Sequence, residues 1–293
     1  MTKEIIKHKR KIKCELYNDH FQNFKRYNIP KAQLVIADIP YNLGVNAYAS
    51  SNQWYVDGDN KNGESDKAGT TFFDTDVDFR IAEYMHFCNR MLIKEPKAKG
   101  KAPAMIVFCS FEQMPIVIEY GKQYGFKNSY PIFFIKNYSS QVLKANMKIV
   151  GATEHAVVLY RDKLPKFNNG RKIDKETGKP IRGTGKMIFN WFNWQRDGKD
   201  IPKIHPTQKP VKVLKELIEI FTDEGDVVID PCAGSGSTGR ACQELDRSFY
   251  GFEIKKDFYK DATEKMLTYK KPNQVTIEDL VVLRERDGNK GMQ

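Results

Sequence analysis

None of the hydrophobic stretches in this 293-residue chain approaches the roughly 20 apolar residues that a membrane-spanning helix needs. The N-terminus also lacks the unbroken apolar core of a secretory signal. Lys, Arg and His8 interrupt every apolar pair there, so a soluble protein of the cytoplasm is expected. Cysteine is sparse. Cys14, Cys88, Cys109, Cys232 and Cys242 form no C-x-x-C pair and share no ligand-like spacing with the five histidines. Neither a disulfide framework nor a metal site is expected, and reduced thiols fit the same compartment. Internal repeats and low-complexity tracts are absent, which argues against a solenoid or a disordered chain.

Positive charge is what the chain has in excess: 48 Lys and Arg stand against 37 Asp and Glu, a net charge of +11. A surplus of this size favours a polyanionic partner without specifying a fold. Its distribution is uneven. Residues 1–13 hold six bases and one acid, and residues 161–203 hold twelve bases and five acids, so the remainder is close to neutral.

Along the chain, short apolar runs of the buried-strand kind alternate with segments of helical periodicity. Leu34–Ala37, Ala104–Cys109, Tyr130–Ile135, Ala156–Tyr160, Val227–Ile229 and Ser248–Phe252 read as strands. Phe79–Ile93, Ile116–Tyr124, Val211–Phe221, Thr238–Leu245 and Lys256–Tyr269 read as helices. That alternation predicts a layered α/β sheet. Asn42–Asp76, rich in Asn, Gly, Ser and Asp, reads as a long loop, and 161–203 breaks the rhythm.

The segment Asp230-Pro-Cys-Ala-Gly-Ser-Gly-Ser-Thr-Gly239 follows a predicted strand and opens a predicted helix. Gly234 and Gly236 let a ligand approach the backbone, and the helix start offers unpaired N–H groups. With Gly239 they fit the G-x-G-x-x-G spacing, which suits a dinucleotide as well as a sulfonium nucleoside. Glu253, at the tip of the next strand, suits a ribose diol in either case. Asp230 separates the two. A carboxylate at the mouth of the loop repels a pyrophosphate but attracts the ammonium of a methionine moiety, so the loop leans to S-adenosylmethionine.

Asp38-Ile39-Pro40-Tyr41, after the Leu34–Ala37 strand, resembles the D-P-P-Y catalytic motif of amino-methylating DNA methyltransferases, and His205-Pro-Thr-Gln-Lys-Pro210 resembles a second motif of that family. The order, tetrad first and glycine loop last, is that of the β-class. The resemblance runs from about Cys14 to Tyr269. It implies a Rossmann-like class I methyltransferase fold with a mostly parallel seven-stranded sheet. Residues 1–160 and 204–270 would form the catalytic and cofactor-binding domain, 161–203 a target-recognition region and 271–293 a C-terminal tail.

The resemblance also assigns roles. Asp38 and the backbone carbonyl of Ile39 would accept the two hydrogens of an exocyclic amine, and Tyr41 would stack on a base swung out of the duplex. An amine whose lone pair is delocalised into the ring gains nucleophilicity from such acceptors as positive charge develops. Ile39 stands where the family usually has proline, which removes a fixed φ from the turn. Cofactor contacts would fall to Asp19, His20, Asp38, His205, Lys209, Pro210, Asp230, Cys232, Ala233, Gly234, Ser235, Gly236, Ser237 and Glu253. Among these, His205 and Lys209 would hold the methionine end and Asp19 would lie near the adenine ring.

Arg171, Lys172, Arg182, Lys186 and Arg196 are the candidate DNA contacts, since bases neutralise phosphates and read groove edges. The expected activity is adenine-N6 methylation of double-stranded DNA, with S-adenosylhomocysteine as the second product. Cytosine-N4 methylation is the alternative within the class, and a catalytically silent DNA-binding subunit the alternative outside it. A homodimer and a cognate restriction endonuclease are further partners that such enzymes can have.

Overall fold

The structure is a computed structural model and describes residues 12–41, 79–137, 141–144, 149–174, 176–179, 181–205 and 207–269. The expected loop at 42–76 and the 271–293 tail lie outside the described residues.

Among the described residues, ten strands and five α-helices follow in chain order. They are β1 (Cys14–Tyr17), a 3-10 turn (Phe21–Arg26), β2 (Leu34–Asp38), α1 (Ile81–Met91), β3 (Ala104–Phe108) and α2 (Met114–Gln123). Next come β4 (Asn128–Lys136), β5 (Gln141–Lys144), β6 (Ile149–Gly151), β7 (Thr153–Tyr160) and β8 (Trp191–Trp194). The last are α3 (Val211–Phe221), β9 (Val227–Asp230), α4 (Ser237–Glu244), β10 (Ser248–Phe252) and α5 (Lys256–Asp261), which runs on into a π-turn (Ala262–Met266).

Eight strands form one sheet in the order β1-β10-β9-β2-β3-β7-β4-β8, with β7 antiparallel to its neighbours and the other pairings parallel. The expected mixed α/β sheet is present with one strand more than anticipated. That strand, β8, comes from inside 161–203, so this segment is partly built into the sheet rather than inserted beside it. β1 and β8, both four-residue edge strands, escaped the hydrophobic pattern because Glu15 interrupts the one and Asn193 the other.

The parallel strands are apolar on both faces because both are covered. Leu34 and Ile36 of β2 enter one core with Ile106, Phe108 and the apolar stripe of α3, while Val35 and Ala37 enter another with Met105, Val107 and α1. In α3, Val211, Val213, Leu214, Leu217, Ile218, Ile220 and Phe221 are buried, which leaves Lys212 and Glu219 for solvent. At the end of β8, Trp194 is buried against Phe134, whereas Trp191 is exposed.

The chain leaves β2 toward β3 and leaves β9 toward β10, so the connections diverge at the β9–β2 pair. In open α/β sheets this reversal opens a crevice at the carboxyl ends of the strands, where ligands bind. Asp38 and Asp230 are the last residues of those two strands.

Candidate active site

Four parallel strands deliver the candidate acids to one edge of the sheet. Asp38 ends β2, Asp230 ends β9, Glu253 follows β10, and Asp19 follows β1. The Glu253 N–H donates to the Tyr17 carbonyl at 3.0 Å, and the Asn18 amide donates to the Glu253 carbonyl at 2.9 Å, which ties the last two strand ends together.

The glycine loop takes the expected strand–turn–helix form. Gly234 and Gly236 have φ of 51° and 77°, in the left-handed region that glycine adopts without strain. Gly239 meets a different demand: a Cβ there would lie 2.7 Å from Leu267 Cδ2 and 2.9 Å from the Phe249 ring, so its absence lets α4 pack on β10. Asp230 braces the loop. Its Oδ1 accepts the Cys232 N–H at 3.0 Å and its Oδ2 accepts the Thr238 hydroxyl at 2.6 Å. Burial pushes its carboxyl up to about 7, against the pull of those two donors. Burial likewise raises the Glu253 carboxyl, while the Lys255 N–H, at 2.7 Å, favours its charged form.

At the tetrad, the Ile39 side chain is buried and its N–H donates to the Phe108 carbonyl at 3.2 Å. A proline could not make that bond, so an extra rung to β3 holds the turn where proline would restrict φ. The Gln113 amide fixes the next carbonyl, that of Pro40, at 2.8 Å. The Tyr41 hydroxyl donates to Glu154 Oε2 at 3.0 Å, and Lys136 pairs with Glu154 Oε1 at 2.5 Å. Lys209 Nζ pairs with Asp38 Oδ2, while Asp38 Oδ1 is buried with no hydrogen-bond partner.

Lys209, expected at the methionine end of a cofactor, pairs with the tetrad carboxylate. Pro210 stands one residue ahead of α3 and caps it in extended geometry. The His205 ring packs on Phe258 at 4.6 Å between centroids and reaches toward the glycine loop, its Cδ2 4.0 Å from where a Gly234 Cβ would be. Burial lowers its imidazole to about 4, with Lys209 and Lys255 adding to the shift, and the Thr207 N–H donates to the neutral ring's Nδ1.

Asp19 accepts from the His20 N–H, the Asn23 amide, the Tyr27 hydroxyl and Arg26, and these donors order the loop after β1. His20 lines a cavity of about 260 Å³ with Phe21, Gln22, Phe79, Arg80 and Glu83. Ser235 and Ser237 bond to each other at 2.9 Å, beside Ala233 and Cys232 in the loop.

The candidate DNA contacts separate into two groups. Arg196 follows β8 at the carboxyl edge, one residue before Asp197, whose carboxylate accepts the Val211 N–H at the start of α3. Arg171, Lys172, Arg182 and Lys186 belong to an excursion rooted at the opposite edge. Because β7 runs antiparallel, it delivers the chain there. Pro165 bridges Ala102 ahead of β3, and Asn168 bonds to the carbonyls of Glu219 and Thr222 at the far end of α3. Buried Lys166 pins the same root to Asp223 and Asp226. The structure does not bring those four residues to the tetrad.

Glu154, Lys136 and Gln113 support the site and were not singled out from sequence. The available signals were a Glu and a Lys at the ends of otherwise apolar strands. Among the described residues, no three His, Cys, Asp or Glu side chains are grouped as for a metal ion, and no helix is long and apolar enough to cross a membrane.

A family model described as DNA methylase, covering N6 and N4 amino-methylating enzymes, matches residues 32–264. The chain belongs to the DNA methylase family. It is similar to the DNA adenine methyltransferase YhdJ of Escherichia coli (strain K12), 25% identical over 271 residues that cover 87% of this chain and 82% of that one. Among solved structures, M1.HpyAVI matches with a TM-score of 0.55 at 20% identity, covering 87% of this chain and 99% of that one. The cytosine-N4-specific PvuII DNA methyltransferase matches with a TM-score of 0.57 at 14% identity, covering 92% and 91%. Those two structures share the fold of this DNA methylase, and the family includes both adenine and cytosine enzymes.

Proposed function

We propose that this DNA methylase is a site-specific adenine-N6 methyltransferase that uses S-adenosylmethionine. The observation that carries the reading is Asp38 Oδ1: a buried acceptor with no partner, at the mouth of the β2–β9 crevice and beside Tyr41. A buried acceptor left empty costs about 1–3 kcal/mol, a cost that a donor entering the crevice removes. An exocyclic amine is such a donor, and the hydrogen bond strengthens as the nitrogen turns positive in the transition state.

The glycine loop fits the cofactor. The left-handed turn at Gly234 and Gly236 presents backbone without Cβ atoms, and a solved relative in fold, M1.HpyAVI, is known as a complex with this compound. When bound, the cofactor supplies an electrophilic methyl group on sulfonium sulfur. Glu253 would accept from the ribose hydroxyls, Asp230 would face the ammonium with its remaining lone pairs, and neutral His205 would line the loop. Tyr41, tethered by Glu154, would stack on a base turned out of the duplex.

Adenine is favoured over cytosine by two things: Asp at the head of the tetrad, which resembles the adenine enzymes more than the cytosine ones, and the long match to an adenine methyltransferase. A deciding experiment incubates the chain with methyl-labelled S-adenosylmethionine and unmodified duplex DNA, then identifies the labelled base after hydrolysis. N6-methyladenine is expected, and Asp38→Ala should lose at least about 100-fold in turnover while keeping its fold. N4-methylcytosine would overturn the adenine reading. Absence of label in any base would favour the silent DNA-binding subunit.

A further inference from the structure

The environment of Lys209 is unusual for a lysine. Its side chain is only 10% exposed, and its ammonium lies 5.7, 5.4 and 5.7 Å from the ring centroids of Tyr41, Phe108 and Trp194. These rings come from the tetrad, β3 and β8, so three separate parts of the chain build a box around one cation. The box is closed on the remaining side by the Asp38 carboxylate, which Lys209 meets through Oδ2 alone. The other oxygen, Oδ1, is buried and unpartnered. One carboxylate thus has two distinct ends, one committed to an internal cation and one open.

We propose that Lys209 is a positioning residue for the tetrad carboxylate: its ammonium holds Oδ2, keeps Asp38 ionised in a buried setting, and leaves Oδ1 aimed at the exocyclic amine. This rests on the reading of the crevice as the site of amine methylation. It departs from the cofactor role that the family resemblance implies for Lys209.

The charges facing Asp38 show why a cation is needed. Glu154 of β7 and Asp230 of β9 are acids close enough to oppose its ionisation, and the Cys109 thiol after β3 adds no positive charge. Lys136 of β4 is paired with Glu154, and the Tyr41 hydroxyl donates to Glu154 while adding a smaller pull toward the ionised form of Asp38. Burial pushes the Asp38 carboxyl up, and Lys209 is the largest influence pulling it down. A protonated carboxyl would be a far weaker acceptor for an amine becoming positive. The ammonium also acts on Glu154, helping to keep that acid charged and Tyr41 tethered. Aromatic faces suit this position because they attract a cation without supplying an acidic competitor for it.

The test compares Lys209→Met and Lys209→Arg with the parent chain. Methionine fills the aromatic box without charge, and arginine restores the charge. Three quantities are read: the titration of the Asp38 carboxyl in the folded protein without DNA, by carboxyl-region NMR or infrared difference spectroscopy with Asp38→Asn for assignment; the affinity for S-adenosylmethionine by calorimetry; and methyl transfer to duplex DNA between pH 5.5 and 9.

Lys209→Met should raise the Asp38 titration by at least one pH unit. It should also move the acid limb of the transfer rate to higher pH, and lower kcat about 100-fold at pH 7 with cofactor affinity changed less than threefold. Lys209→Arg should keep the Asp38 titration near that of the parent and recover most of the rate. Loss of cofactor affinity in proportion to the loss of rate, with the Asp38 titration unmoved, would overturn the proposal and restore Lys209 to the cofactor. Parent-like titration in Lys209→Met would overturn it as well. Should Lys209→Met fail to fold, the reciprocal measurement decides: the Lys209 amine should titrate at lower pH in Asp38→Asn than in the parent, and an unmoved amine would overturn the coupling. Failure of the parent chain to methylate DNA would remove the reading of the crevice, while the carboxyl titration would still decide the coupling of Lys209 to Asp38.

Discussion

Asp230 and His205 shift in opposite directions for the same reason, that burial disfavours the ionised form. For Asp230 the folded value, about 7, lies above the ordinary 3.8, so between those values the folded chain holds a proton that the unfolded chain has released. Its contribution to stability is complete below the ordinary value and is lost as pH rises through about 7. Asp230→Asn keeps an acceptor for the Cys232 N–H, presents an N–H to the Thr238 hydroxyl oxygen in place of the carboxylate oxygen that accepted from it, and cannot ionise. The expected outcome is that the parent loses denaturant resistance relative to this variant between pH 6 and 8. Unfolding midpoints across that range check it, and parallel curves would show that the carboxyl is already charged at pH 6. For His205 the sign is reversed: the folded value, about 4, lies below 6.5, so its contribution is present above 6.5 and lost as pH falls through about 4.

The glycine loop joins β9 to α4, and its glycines are not equivalent. Alanine at Gly234 would meet only a backbone penalty, because the nearest atom to the new Cβ is 4.0 Å away. At Gly236 the φ of 77° adds strain, and the Cβ would also press on Ala262 at 3.2 Å. A left-handed non-glycine residue costs about 1–2 kcal/mol, so Gly236→Ala should destabilise by that amount or more and Gly234→Ala by less. Thermal or urea unfolding of the two variants checks the order, and equal losses would show that the π-turn after α5 yields freely to the new methyl. The tetrad turn shows the complementary device. Ile39 gives up the rigidity of proline and gains a hydrogen bond to β3, so the element boundary is held by the sheet rather than by a ring.

At the scale of the molecule, the direction of β7 decides where the positive charge goes. Since β7 runs against its neighbours in the eight-stranded sheet, the basic excursion after it begins at the edge opposite the crevice, and β8 then returns the chain to the carboxyl edge at Arg196. DNA engaged at the tetrad is therefore expected to meet Arg196 ahead of Arg171, Lys172, Arg182 and Lys186. For a duplex just long enough to fill the crevice, Arg196→Ala should flatten the salt dependence of binding by about one phosphate contact. Joint replacement of the other four by alanine should leave that slope unchanged. A slope that falls with the four-residue variant on the short duplex would show that the excursion wraps toward the site.

The alternation of buried strands and amphipathic helices and the glycine loop were legible in the order of residues because each answers to a local rule, whereas the tetrad was legible through its resemblance to a family motif. A buried parallel strand must be apolar on both faces, a left-handed turn needs glycine, and a strand end must carry the group it presents. The +11 surplus was legible too, along with the two stretches that hold it. Its placement was not, since a count of lysines does not reveal which edge of a sheet a loop leaves from. Glu154, Lys136, Trp194 and Phe108 reach Asp38, Tyr41 and Lys209 only because β7, β4, β8 and β3 lie side by side, and those strands are far apart in the chain. Local sequence thus determined which side chains could do chemistry here. Tertiary packing decided that a lysine just ahead of α3 would meet the Asp38 carboxylate, because only the assembled fold buries opposite charges from distant segments within reach of each other.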